Sequence, residues 1–158
     1  MAMNQSTSAA LTITAGSLAA AAARSSAAVT PDVTKNVQAI MLTVNVLTTA
    51  TAASGNKQVV VYGYESEDGT NYSGASSTAD NVDGTDKTLT AIGSPTNLTL
   101  LGTIQLNAGA VAVTERGVFE VVGRFGCVPR KWGIVLFNDA GTALGATVTA
   151  TYTEISYS

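Results

Sequence analysis

Carboxylates gather at two places in this chain, and a single thiol stands at a third. Glu65, Glu67 and Asp68 lie close together in Tyr62-Gly-Tyr-Glu-Ser-Glu-Asp-Gly-Thr-Asn-Tyr-Ser73. Neighbouring carboxyls are the equipment of glycoside hydrolysis, but that chemistry needs two acids facing each other across the scissile bond from separate elements. Three acids on one turn read instead as a charged tip, and Asp68-Gly69 is a turn dipeptide because glycine accepts positive φ. The second cluster, Asp80-Asn-Val-Asp-Gly-Thr-Asp86, has the look of a calcium loop. Placing Gly84 at the invariant glycine of an EF-hand puts Ala79 at the first ligand position and Thr90 at the last, so both essential carboxylates are lost. A solvated turn is the expectation there, with an irregular calcium site as the alternative. Cys127 is the only cysteine and the chain has no histidine, so neither a thiol nor a hydroxyl has its usual activating base. Cys127 is expected to be a small buried hydrophobe. No cofactor and no metal are expected, and the residues do not make an enzyme.

Alternation with period two dominates the elements that carry these groups. Ile40, Leu42, Val44 and Val46 alternate with Met41, Thr43, Asn45 and Leu47, which predicts a long half-buried strand. Gln58 to Glu65 is expected to run back beside it as a hairpin partner, with Val59 and Val61 on one face and Val60, Tyr62 and Tyr64 on the other. Further strands are predicted near Thr88–Ile92 and over Asn97–Leu106, Val118–Phe125, Trp132–Phe137 and Ala146–Tyr157. The apolar run Trp132–Phe137 reads as a central strand with Trp132 in the core, and Asn138-Asp-Ala-Gly141 as a hairpin turn. In the last strand Thr147, Thr149, Thr151 and Thr153 share a face. Six to eight strands without an amphipathic helix predict an all-β antiparallel β-sandwich or jelly roll. Tyr62, Tyr64, Tyr72 and Trp132 are also candidates for an aromatic platform, with Tyr72 exposed at the loop tip.

Residues 1–36 differ from the rest and are expected to form an N-terminal arm or linker ahead of a β-sandwich domain over 37–158. Ala10-Leu-Thr-Ile-Thr14 predicts a short strand, and Leu18–Ala28 is a small-residue tract that is either partly helical or extended. A signal peptide is not expected, because Met1-Ala-Met-Asn-Gln5 lacks a positive side chain and Thr12 and Thr14 dilute the apolar run. No stretch is long and apolar enough for a membrane helix. With 46% hydrophobic, 12% charged and 6% aromatic residues, the surface is neutral and short-chained, suited to close packing against like neighbours. A net charge of −3, with Arg130-Lys131 the only adjacent cations, argues against coating nucleic acid. The lone cysteine fits folding in a reducing cytoplasm.

Several segments, taken in order, resemble small virion structural proteins of tailed bacteriophages. They are Gly16-Ser-Leu-Ala19, Ala23-Arg-Ser-Ser-Ala-Ala-Val29, Val61–Tyr72, Ser94-Pro-Thr-Asn-Leu98, Leu101-Gly102, Pro129-Arg-Lys-Trp-Gly-Ile-Val135 and Asn138-Asp-Ala-Gly-Thr-Ala-Leu144. The resemblance implies a particle protein made in the host cytoplasm and located in the virion. A capsid decoration, or cement, protein is favoured, bound to the major capsid protein or another virion protein as a homo-oligomer compatible with a trimer. It implies no direct nucleic-acid or membrane contact. The candidate contacts are then Leu11, Ile13, Leu18 and Arg24 in the arm, Asp68, Asn71 and Tyr72 in the loop, and Arg130 and Lys131. The alternatives are a tail tube, collar or baseplate protein, and a carbohydrate-binding adhesion module.

Overall fold

The 40–47 alternation folds as period two dictates. In β4 (Asn36–Leu47) Ile40, Leu42, Val44 and Val46 point inward and are fully buried, while Met41, Thr43, Asn45 and Leu47 line the outer face. The computed structural model of the chain describes residues 2–73, 81–89 and 97–157. β4 is an interior strand of one antiparallel sheet, between β10 (Val148–Tyr157) and the edge strand β8 (Thr114–Glu120). The far side of β10 is shared by two short strands, β1 (Met3–Gln5) and β2 (Ala9–Leu11). The second sheet runs in the order β6 (Lys87–Leu89), β3 (Ala23–Ser25), β9 (Lys131–Asp139), β5 (Gln58–Ser66), β7 (Thr99–Gln105). Trp132, Ile134 and Leu136 of β9 meet Ile40, Leu42 and Val44 of β4 between the sheets, so the chain is the expected all-β sandwich.

A second apolar cluster lies on the outer face of the β9 sheet. Tyr64, Val135, Ala23, Leu89 and Val82 are buried there, with Tyr62, Tyr72 and Phe137 packed beside them. Two glycines make room for it. A Cβ on Gly133 would come within 2.3 Å of the Tyr64 ring, and one on Gly84, at φ +79°, within 2.5 Å of Tyr72. The Tyr64 hydroxyl donates to the Ser26 carbonyl at 2.7 Å, so the ring's polar end is satisfied in the dry interior.

Several sequence expectations need correction. β4 and β5 do not form a hairpin, since they lie in opposite sheets, and residues 48–57 cross between them. Asn138–Gly141 is likewise a crossing, from β9 to β10, and not a hairpin turn. The predicted strand over Val118–Phe125 is two elements: β8 ends at Glu120, and Val122–Phe125 is one helical turn, α1, closed by Gly126 at φ +83°. Of the strand expected near Thr88–Ile92, the observed part is β6, and residues 90–92 lie outside the described residues.

Residues 1–36 are not a separate arm. Leu11, Ala15 and Leu18 enter the main core, and β3 is an interior strand between β6 and β9. Small side chains allow this, because Ala23 and Ser25 sit buried on the face that the second cluster covers. The buried Asn138 fastens the segment: its Nδ2 donates to the carbonyls of Leu18 (2.9 Å), Ala19 (3.0 Å) and Thr142 (2.8 Å). A buried amide so fully bonded specifies one path for the chain.

Candidate functional site

Pairing of β5 with β9 decides which surface residues meet. Ser66, the last residue of β5, lies opposite Lys131, the first of β9. The acidic turn that follows β5 is thereby set beside the segment that precedes β9. Arg130 runs over the turn, its Nε 3.4 Å from where a Cβ on Gly69 would stand.

The turn is held by one carboxylate. Asp68 Oδ1 accepts the backbone N–H groups of Thr70 and Asn71, both at 2.7 Å, and Oδ2 accepts the Asn71 amide at 2.6 Å. The Ser66 hydroxyl donates to Asp68 Oδ1 and accepts the Gly69 N–H. These donors, the Asn71 and Thr70 N–H groups foremost, hold the Asp68 carboxyl well below the usual carboxylate range. Asp68 therefore spends its charge on its own loop. Among the described residues it forms no ion pair with Arg130 or Lys131, which leaves both cations available to an outside acid.

Beneath the turn, donor atoms of Glu65, Glu67 and Cys127 lie within 4.8 Å of one another. Burial first, and then the Glu67 charge, raise the Glu65 carboxyl above its ordinary value. The Cys127 Sγ donates to Glu67 Oε1 at 3.4 Å, and desolvation followed by that carboxylate pushes the thiol upward. Such a thiol stays protonated at neutral pH and is a poor nucleophile. Glu65 lies at the end of β5 and Glu67 just beyond it, so the two carboxyls do not come from separate elements facing each other across a cleft, as glycoside hydrolysis requires. Cys127 is exposed, against the expectation of a buried hydrophobe, because it lies in the exposed 126–128 connection between α1 and β9 and not in a strand. An open groove of about 500 Å³ adjoins, lined by Pro31, Val33, Lys35, Glu67, Val128 and Arg130 among others.

Comparisons with protein-family models, with curated proteins and with solved structures found no match. Residue geometry is therefore what assigns roles. Asp68, Asn71 and Arg130, all exposed, come together with the half-buried Lys131 at one edge of the molecule. Leu11 and Leu18 are buried in the core and Ile13 packs against it. Arg24 binds Asp86 at 2.7 Å and Thr88 at 2.9 Å, so the four arm positions are occupied within the molecule. Tyr72 is half-buried, edge-on to Tyr64 with ring centroids 5.7 Å apart. Trp132 and Tyr64 are fully buried, which removes them from any sugar platform.

The second acidic cluster is internally paired wherever it is described. Asp83 binds Lys87 at 2.8 Å and Thr85, which depresses its carboxyl to about 2. For Asp86, burial pushes the carboxyl upward, but the bonds from Arg24 and Thr14 outweigh it and the net shift is down. Ala79, Asp80 and Thr90 lie outside the described residues. Sequence reading did not single out the grouping of Cys127 with Glu65 and Glu67, and only the register of β5 on β9 carries that information. It also passed over Ser54-Gly-Asn-Lys57, which has serine–lysine hydrolase spacing. Those residues form an exposed turn in which the Lys57 N–H donates to the Ser54 carbonyl.

Proposed function

We propose that this chain is a non-catalytic structural component of a tailed-bacteriophage particle, and in particular a decoration protein bound to the outer capsid shell. The observation that carries the reading is the rigid turn at 66–73 beside two uncommitted cations, on a sandwich with otherwise short-chained, neutral surfaces. Such an edge suits repeated docking against an acidic protein surface. Each contact is weak, and holding power comes from many copies. The ordered resemblance to virion proteins supports the same reading. Arg130, Lys131 and Asn71 would make the polar contacts, with Asp68 keeping the turn in shape.

The carbohydrate-binding alternative needs exposed aromatics near 62–72, and the half-buried Tyr62 and Tyr72 and buried Tyr64 give it no support. A tail tube needs a charged lumen, and the bare outer face around Thr43, Thr151 and Thr153 carries little charge. The test is a cryo-EM map of the source particle with this chain located in it. Density over capsomer junctions, with Arg130 and Lys131 against the shell, is the expected result. Density in the tail, or none in any particle, overturns the assignment.

A further inference from the structure

β8 is a long, regular sheet edge that hydrogen-bonds to no described strand on its outer side, although β7 of the opposite sheet packs close beneath it at Gly117 and Phe119. It pairs with β4 without a break from Thr114 to Glu120, contains no proline or lysine, and has no bulge. The other described edges are blunted: β1, β2 and β6 have three residues each, and β7 shifts register on β5. An unpaired, regular edge is a template for a further strand, and its charged residues Arg116 and Glu120 restrict which strand it accepts.

Hydrogen bonding fixes what that edge offers. The Val121 N–H donates to Ile40 O, and Val113 O accepts from Thr48 N–H. Odd-numbered residues of β8 thus turn their backbone groups toward β4. By alternation Thr114, Arg116, Val118 and Glu120 turn theirs away from the sheet. The same four side chains share the outer face, opposite Leu47, Asn45, Thr43 and Met41 of β4. Val118 is 52% exposed at the middle of the edge, and Arg116 makes no ion pair among the described residues. Glu120 uses Oε2 to accept the Gly123 N–H at 2.6 Å, which leaves Oε1 without a bond among the described residues.

We infer that β8 pairs edge to edge, antiparallel, with β8 of a second copy of this chain, about a two-fold axis at Val118. In that register Val118 faces Val118 of the other copy, and each Arg116 lies directly opposite a Glu120. Two ion pairs then flank an apolar pair, and the outward backbone groups of residues 116, 118 and 120 are satisfied across the seam. Centring the axis on Arg116 would set like charges opposite each other, and centring it on Gly117 would set Arg116 against Val118. Charge complementarity selects the Val118 register. The paired sheets would run continuously through both copies and leave the 66–73 edge free, so this inference does not depend on where the protein acts.

The test uses the full chain with Cys127→Ser as background, so that residue 118 carries the only thiol. Val118→Cys should form a disulfide-linked dimer on mild oxidation, because opposed Cα atoms in a hydrogen-bonded pair lie about 5.5 Å apart, within disulfide range. Sedimentation velocity on the wild type should show a concentration-dependent monomer–dimer equilibrium. Arg116→Glu should raise its dissociation constant roughly tenfold. The exchange Arg116→Glu with Glu120→Arg should restore it, and Val118→Lys should give monomer with an unchanged circular dichroism spectrum. A wild type that stays monomeric, a trimer, or a dimer indifferent to Val118→Lys overturns the inference. Failure of the Val118→Cys variant to cross-link in a chain that does dimerise overturns the register and with it the proposal.

Discussion

The two outer faces of this sandwich were built on different terms. The β9 sheet carries Tyr62, Tyr64, Val135 and Phe137 outward, and the turn at 66–73 and the 81–89 segment fold back over them to make a second core. The β4 sheet carries Thr43, Asn45, Thr149, Thr151 and Thr153 outward and has no cover among the described residues. An apolar face must be removed from water, whereas threonine and asparagine tolerate it, so the difference lies in the side chains and not in the strands. The covered face gives the molecule its shaped polar edge. The bare face gives it a broad neutral surface.

Substitutions can break that contrast, and the largest effect belongs to the covered face. Tyr64→Ala should cost about 3–5 kcal/mol in urea unfolding, because it empties the centre of the second core and strands the Ser26 carbonyl. Gly133→Ala should cost about 1–3 kcal/mol by forcing the Tyr64 ring away, and less in a Tyr64→Leu background, where the clash is gone. A double-mutant cycle reads that coupling directly.

Acid should loosen the cover from its rim. Asp83 is depressed to about 2, and Asp68 and Asp86 are also depressed below the ordinary aspartate value of 3.8. A carboxyl whose folded pKa is lowered stabilises above its unfolded value and loses that contribution as pH falls through the folded one. The melting temperature should therefore hold above about pH 5 and decline from about pH 4 toward pH 2. Glu65 has the opposite sign, since its folded pKa is raised from 4.5. Glu65→Gln should raise the melting temperature at neutral pH, an advantage that shrinks as pH falls toward 4.5 and is absent below it. The smallest effect belongs to the bare face, where Thr151→Ala should change stability by no more than about 0.5 kcal/mol.

Which of this the sequence disclosed follows from where contrast exists. β4 was readable because one of its faces is dry and the other wet, and β9 because it is apolar on both. β3 was not, since Ala23 and Ser25 are small residues buried by a cover that sequence periodicity cannot announce. The turn at Asp68-Gly69 was legible from backbone chemistry alone. Its company was not: Arg130 and Cys127 arrive through the Ser66–Lys131 pairing, some sixty-five positions apart in the chain. Hairpins were expected between the 40–47 and 58–65 strands and at Asn138–Gly141, yet both connections carry the chain to the opposite sheet.

That last feature bears on how the molecule comes to exist. No described strand pairs with its neighbour in sequence. Every ladder must close a long loop before any of its bonds form, so the entropy of closure precedes the reward. Refolding should be slow for a domain of this size, in the range of milliseconds to seconds. During synthesis β4 waits on the ribosome for β10, the strand that joins it to β1 and β2. Until β10 emerges, one hydrogen-bonding edge of β4 has no partner strand, and this nascent stage is where the chain is most open to aggregation.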